Sequence, residues 1–285
     1  MTAVVADVDA ASYIRSRNIG QRVGHAVARI SRCCDLADAD VPERQNSASL
    51  TEPVRVCSII PAYQAAGQVA DVVRGLLDGA RQRDCELPIL VVDDGSTDQT
   101  SIAARQAGAE VLRHDQNRGK GQALKTGLDW AEAGGYHAAV TLDADGQHPV
   151  EEALRLAFCP LPCDCLLLGV RDLRLAHAPM SHRMSNAISN RFLSWFSGVR
   201  LLDTQCGLRR YPVGLWSALN VRDSGYAFEA EILLRAVWRG TRIEQLPVSV
   251  HYPPRIHRVS HFDSVRDPAR IVRRVVMTLW ERSRR

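Results

Sequence analysis

Two carboxylates one residue apart, Asp143 and Asp145, follow a short apolar run at residues 138–142. In a strand, side chains two apart leave on the same side. Two carboxylates leaving a buried strand together repel unless a cation lies between them. A divalent magnesium or manganese ion suits oxygen ligands and keeps positions open for phosphate oxygens. Gln147 and His148 come directly after the pair and are placed to add a ligand or tune the site.

A second acidic pair, Asp93-Asp94, leads into Gly95-Ser96-Thr97-Asp98. Gly95 permits a tight turn, and one of the three residues after it is enough to cap a helix. The acids are left over, and the carboxylate of Asp94 suits hydrogen bonds from a base edge or a ribose. A third cluster, Asn117-Arg118-Gly119-Lys120-Gly121, puts backbone amides and a lysine at a helix start, the composition of an anion site. The chain has 36 lysines and arginines, yet Lys120 and Lys125 are its only lysines. Lysine is kept for this segment alone.

These clusters need a frame. Short apolar runs at 54–60 (stopped by Pro61), 89–92, 110–113, 138–142 and 165–168 predict strands. Helical spacing occupies 69–83, 97–107, 121–133 and 149–157 between them. The alternation predicts an α/β fold with a mostly parallel sheet and helices on both faces. Ligands of such sheets bind beyond the carboxyl ends of the strands, and all the polar clusters, including Pro61-Ala62-Tyr63, fall at that edge. Residues 1–53 read as an extension, helical at 10–33 and a polar linker at 38–52; residues 54–262 read as the catalytic domain.

The composition excludes several classes. Of 285 residues, 46% are hydrophobic, and no run reaches the roughly 18 apolar residues of a membrane span. The N-terminus carries Asp7 and Asp9 and lacks the pattern of a secretory signal, so a cytoplasmic location is expected. The eight cysteines are scattered without a CxxC pair and read as free thiols rather than a disulfide framework or zinc site. From Asp263 onward seven arginines face three acids, a local excess equal to the net charge of +4 of the whole chain. Within that tail a helix from Asp267 would place Ile271, Val272, Val275, Val276, Leu279 and Trp280 on one face beside Arg270, Arg273 and Arg274. That is a basic amphipathic helix suited either to an anionic membrane surface or to packing on the protein's own core. A nucleic-acid partner is not expected, because the tail has Trp280 alone for stacking.

The segments Ser58-Ile59-Ile60-Pro61-Ala62-Tyr63, Val91-Val92-Asp93-Asp94-Gly95-Ser96-Thr97-Asp98, Asn117-x-Gly119-Lys120-Gly121 and Leu142-Asp143-Ala144-Asp145-Gly146-Gln147-His148-Pro149 together resemble family 2 glycosyltransferases, and among them the dolichyl- and polyprenyl-phosphate sugar synthases. The resemblance runs from about Val54 to Phe262. It implies a GT-A fold, inversion at the sugar carbon, and a nucleotide-sugar donor with Mg²⁺ or Mn²⁺. It assigns donor nucleotide binding to Pro61, Ala62, Tyr63, Asp93, Asp94, Lys120, Asp143 and Ala144, with Pro61 and Tyr63 on the base and Asp94 on the nucleoside. It gives the metal to Asp143, Asp145 and Gln147. It gives acceptor or phosphate contacts to Arg171, Arg183, Arg209, Arg255, Arg258 and Ser260, and names Asp145, Arg183, Glu229 and Glu231 as catalytic. Cys206 stands where the family has Ser in an Asp-x-x-Ser-Gly-Phe-Arg stretch; Arg258 and His261 replace Gly and Lys of an Arg-x-x-Gly-x-Ser-Lys loop.

The chemistry implied is departure of a nucleoside diphosphate, with charge stabilised where it develops. A lipid phosphate acceptor is already anionic and needs no base; a hydroxyl acceptor would need one, for which Glu229 or Glu231 is the candidate. Either glutamate also reads as a helix-face carboxylate paired with Arg235. A nucleotidyltransferase would place a glycine-rich basic loop after the first strand, where this chain has Pro61-Ala62-Tyr63-Gln64.

Overall fold

A computed structural model describes residues 54–251 and 266–283. Its frame is one seven-stranded sheet: β1 (Val56–Ala62), β2 (Ile89–Asp93), β3 (Glu110–Arg113), β4 (Ala138–Thr141), β5 (Leu166–Arg171), β6 (Arg209–Pro212) and β7 (Ile243–Val248). The spatial order is β3-β2-β1-β4-β6-β5-β7. Strands β1 to β4 are parallel to one another, β5 runs parallel to β7, and β6 lies antiparallel between β4 and β5.

The first strand begins two residues later than its apolar run and continues through Pro61 to Ala62. At Pro61, which has no N–H to give, β4 has already left the ladder, whose last pair is Ile59↔Thr141. The parallel centre is buried on both faces, which is why its strands read as continuous apolar runs. Alternate residues serve two cores. Ile60, Val91 and Val140 face one, while Ile59, Val92 and Ala139 face the other.

The helices are α1 (Val69–Arg81), α2 (Thr100–Gln106), α3 (Lys120–Ala133), α4 (Val150–Ala157), α5 (Met180–Ser197), α6 (Trp216–Leu219), α7 (Phe228–Trp238) and α8 (Arg266–Ser283). Helix α1 buries Val69, Val72, Val73, Leu76 and Ala80, a stripe at helical spacing, against the first core. Helices α2 and α4 join it there, and α3, α5, α6 and α7 cover the opposite face. On α3, a Cβ at Gly127 would lie 2.4 Å from Ile59 Cγ2, so this glycine lets the helix settle directly on β1.

The face expected on α8 divides. Val275 is fully buried in the second core, with Ile271 and Leu279 packed beside it, whereas Val272, Val276 and Trp280 are exposed. Arg274 turns inward to Glu231, 2.6 Å away. Among the described residues no helix is long and apolar enough to cross a membrane. The six described cysteines are free, and Cys57, Cys165 and Cys206 are buried.

Candidate active site

The carboxyl ends of β1, β2 and β4 gather the polar clusters. After β1, Gln64 N–H donates to Ser96 Oγ (2.9 Å) and Ala65 N–H to Thr100 Oγ1 (2.8 Å), which ties the Pro61-Ala62-Tyr63 corner to the loop after β2. Pro61 and Ala62 are buried and Tyr63 is half-buried. Asp93 accepts from Ser96 N–H (3.0 Å) and the Ser101 hydroxyl, and so shapes the turn. Gly95 sits at φ +76°, and a Cβ there would meet the Gln116 backbone at 2.4 Å.

Asp94 is nearly inaccessible. Its Oδ1 accepts from Arg118 N–H (2.9 Å) and meets His114 Nδ1 (2.7 Å), and its Oδ2 accepts from Gly119 N–H (2.7 Å). His114 is braced in turn by Thr126 Oγ1 at 3.0 Å. In this structure Asp94 fastens the glycine-flanked loop to the end of β2. Its oxygens are engaged within the chain, not left over as the sequence alone implies.

That loop delivers Lys120 to the centre. Gly119 (φ +95°) and Gly121 have no room for a Cβ against the backbone of Ser224 and Gly225. With the loop so held, Lys120 Nζ lies 2.7 Å from Asp143 Oδ1 and 3.2 Å from Glu229 Oε1. Burial alone would lower the lysine's pKa, but the two carboxylates outweigh it and raise it. Asp143 is the mirror case: burial favours its proton, and Lys120 overrides this to hold the carboxyl below its ordinary value.

Asp143 and Asp145 lie on the turn after β4, not on the strand itself, which ends at Thr141. Asp145 stands at the mouth of a cleft of about 430 Å³, lined also by Gln147, Leu175, His177, Val250 and His251. Crowding by the surrounding protein and, next, the charge of Asp143 push its carboxyl up to about 6. Gln147 N–H donates to Asp145 Oδ1 (3.0 Å), fixing the turn. His148 is buried, and burial lowers its pKa to about 4 against the pull of Asp143, so the ring is neutral at pH 7. Its Nε2 lies 3.8 Å from Cys206 Sγ, and its Nδ1 has no hydrogen-bond partner among the described residues.

Arg171, at the end of β5, is clamped by Asp203, with Nε to Oδ2 at 2.7 Å and Nη2 to Oδ1 at 3.0 Å. The segment after Asp203 is pinned over the site by Thr141 Oγ1, which donates to Gly207 O (2.9 Å). A Cβ at Gly207 would lie 2.8 Å from Asp143 Oδ2 and 3.0 Å from Lys120 Nζ.

Two expected residues are turned away from this cluster. Arg209 is wholly buried and donates to the carbonyls of Cys206, Glu229 and Thr204, so it shapes the backbone around the site and presents nothing to an acceptor. Glu231, also inaccessible, binds Arg235 (2.7 Å) and Arg274 (2.6 Å) and accepts from the Asp223 amide (2.9 Å). It anchors α8 and has no oxygen free for a substrate proton. Arg183 lies in the first turns of α5, half-buried, with no ion pair among the described residues. Arg255, Arg258 and Ser260 lie outside the described residues.

Residues 57–158, which hold the acidic pairs and the lysine loop, match the family described as Glycosyl transferase family 2. Undecaprenyl-phosphate mannosyltransferase of Micrococcus luteus is 28% identical over 207 residues, 69% of this chain and 83% of that protein. Polyprenol monophosphomannose synthase of Mycolicibacterium smegmatis is 27% identical over 218 residues, covering 72% and 80%. The chain carries a family 2 glycosyltransferase segment over residues 57–158.

The fold of the glycosyltransferase is GT-A. It matches glucosyl-3-phosphoglycerate synthase from Mycobacterium tuberculosis, crystallised with Mn²⁺, uridine diphosphate and glucosyl-3-phosphoglycerate, at a TM-score of 0.59 and 19% identity over 79% of this chain and 80% of that one. Three contributors to the site of this glycosyltransferase were not assigned from sequence: His114, Asp203 and Gly207. Asp203 and Gly207 belong to a quoted motif, but their partners come from β5, β4 and α3, and no local spacing reports such pairings.

Proposed function

We propose that this glycosyltransferase moves a sugar, with inversion, from a uridine or guanosine diphosphate sugar to a polyprenyl or dolichyl phosphate, using a divalent ion, at the cytoplasmic face of a membrane. The reading rests on one observation above all: Lys120 bridges Asp143, two residues before Asp145, to Glu229 at the carboxyl edge of the sheet, where nucleotides bind in such folds.

The residues present fit a magnesium or manganese ion. Desolvation and, after it, the charge of Asp143 raise the pKa of Asp145, and a shared cation offsets both. No three His, Cys, Asp or Glu side chains among the described residues form a metal site by themselves. Asp143, Asp145 and Gln147 would therefore hold the ion with phosphate oxygens completing its shell. When bound, the ion supplies positive charge to the departing diphosphate. Lys120 brings a second, covalently fixed positive charge to the same place. Arg171, oriented by Asp203, offers a guanidinium to a phosphate on the cleft side. The structural relative was crystallised with Mn²⁺ and uridine diphosphate, which supports a divalent ion here.

The acceptor reading draws on the names of the two relatives, both of which act on polyprenyl phosphates. It also fits the carboxylates. Glu229 is committed to Lys120 and Glu231 to two arginines, so neither glutamate is spare as the base a hydroxyl acceptor requires. The catalytic unit is residues 54–262, and the exposed apolar edge of α8 is available for peripheral membrane contact. Incubating the purified protein with a panel of nucleotide sugars, Mn²⁺ and polyprenyl phosphate tests the proposal. Release of nucleoside diphosphate together with a glycolipid supports it; release only with a hydroxyl acceptor sinks the acceptor assignment.

A further inference from the structure

Among the described residues, helix α5 carries an exposed apolar stripe. Met180, Met184, Ile188 and Trp195 are each 57–78% exposed, as is Leu175 just ahead of the helix. At about 100° per residue the four helical positions fall within an arc of roughly 80°, so they form one outward stripe. The opposite side of α5 is used inside the protein. Leu193 is buried, Phe192 and Phe196 pack on the second core, and Ser189 and Asn190 bond the Leu202–Thr204 segment. An exposed apolar line of this length on a well-anchored helix marks an interaction surface.

Its charge selects the partner. Between Asp172 and Asp203 there is no acidic residue, while Arg174, Arg183, Arg191 and Arg200 all fall in that interval. Arg174, Arg191 and Arg200 are exposed. We infer that this face lies on an anionic lipid bilayer, with the Met, Ile and Trp side chains in the acyl boundary and the arginines at the lipid phosphates. A second copy of the chain fits less well, because a two-fold contact would set this acid-free strip against itself. The stripe also begins at the catalytic cleft, since Leu175 and His177 line it together with Asp145. Docking there brings the cleft mouth to the membrane surface, whatever the acceptor is.

The test uses the full-length protein, vesicles of phosphatidylglycerol or phosphatidylcholine, and brominated lipids that quench nearby tryptophan. Flotation with phosphatidylglycerol vesicles is expected, with a bromine-quenched component that W195F abolishes and W280F retains. M184E/I188E should reduce flotation at least tenfold with an unchanged melting temperature. Flotation unaffected by M184E/I188E overturns the inference. So does quenching lost in W280F and kept in W195F, equal flotation on phosphatidylcholine, or a dimer dissolved by M184E/I188E without any vesicle binding. Nucleoside diphosphate release with a short polyprenyl phosphate in detergent, run in parallel, should be equal in wild type and M184E/I188E. If wild type shows no release but floats, the acceptor assignment fails and the docking surface stands.

Discussion

Lys120 Nζ stands 2.7 Å from Asp143 Oδ1, so a cation fixed by the chain already accompanies the acid expected to meet a divalent ion. The pair is made by two different strand–helix junctions, and Asp94 holds them in register by gripping the amides of Arg118 and Gly119. Replacing Lys120 by Met leaves Asp143 and Glu229 facing each other without a counter-charge. Loss of one partner from a buried ion cluster costs about 3–5 kcal/mol, and loss of a charge aimed at a leaving group costs about 10²-fold or more in rate. K120M should therefore unfold at lower denaturant and lose at least that much activity. K120M/D143N should regain part of the stability and none of the activity. Strict additivity of the two stability changes would show that Lys120 and Asp143 do not interact.

Asp145 sets a pH dependence. Its carboxyl is pushed from 3.8 up to about 6, first by loss of hydration among the atoms crowded around it and then by Asp143. Below the lower value the group is protonated folded and unfolded, and the fold keeps its full stability. As pH rises through the interval the unfolded chain gives up its proton more easily, and stability is lost. In the metal-free protein, D145N should thus match wild type at about pH 3.8 and melt higher above about pH 6. Mn²⁺ should close that gap at pH 7 by stabilising wild type and not D145N. Melting curves across pH with and without Mn²⁺ measure this; a gap that shrinks as pH rises contradicts the assigned direction.

Glu229 and Glu231 look equivalent in sequence, yet residues two apart on a helix do not share a face. Glu229 reaches Lys120, whereas Glu231 closes a network with Arg235 and Arg274. Burial opposes the charge on Glu231, but Arg274 and the other donors outweigh it and hold the carboxyl below its ordinary value. The network's stabilisation is accordingly present at neutral pH and lost on acidification. E231Q should cost about 3–5 kcal/mol of stability and leave the kcat of the folded fraction close to wild type. E229Q leaves Lys120 paired with Asp143, so it should lower kcat with a much smaller change in melting temperature. Comparable melting shifts in the two variants would argue against this division of labour.

Much of this was legible in the sequence because parallel strands buried on both faces announce themselves as unbroken apolar runs. β1 through β4 lie within two residues of where those runs predict, β5 continues three residues past its run to Arg171, and the polar clusters do fall at one edge. β6 was not legible. Arg209-Arg210-Tyr211-Pro212 has no apolar pattern, and its two buried arginines are tolerable only because each finds backbone carbonyls brought from elsewhere, Arg210 at Cys159, Leu161 and Pro162. The same holds for the site. Asp143, Asp145 and Lys120 are marked by their own neighbours in sequence, whereas the clamp of Asp203 on Arg171 exists only once β5 and the segment before β6 are side by side. The exposed line on α5 is a further case: its spacing is that of any amphipathic helix, and only burial tells which side is turned out.

Gly207 carries the sharpest steric prediction. Thr141 fixes its carbonyl at 2.9 Å, so the backbone at this point is not free to retreat. A methyl group there would stand 2.8 Å from Asp143 Oδ2 and 3.0 Å from Lys120 Nζ, inside van der Waals contact with both. Asp143 and Lys120 are side chains and can yield, so G207A should fold. Yielding, however, moves the acid and the ammonium that the proposed reaction needs in register, and a shift of about 1 Å in a catalytic group costs about 10²-fold. The expected result is a stable protein with kcat/KM down by about that factor and weakened protection by Mn²⁺ against thermal unfolding. G207A with wild-type turnover and wild-type Mn²⁺ protection would mean that the Lys120–Asp143 contact is not where donor chemistry takes place.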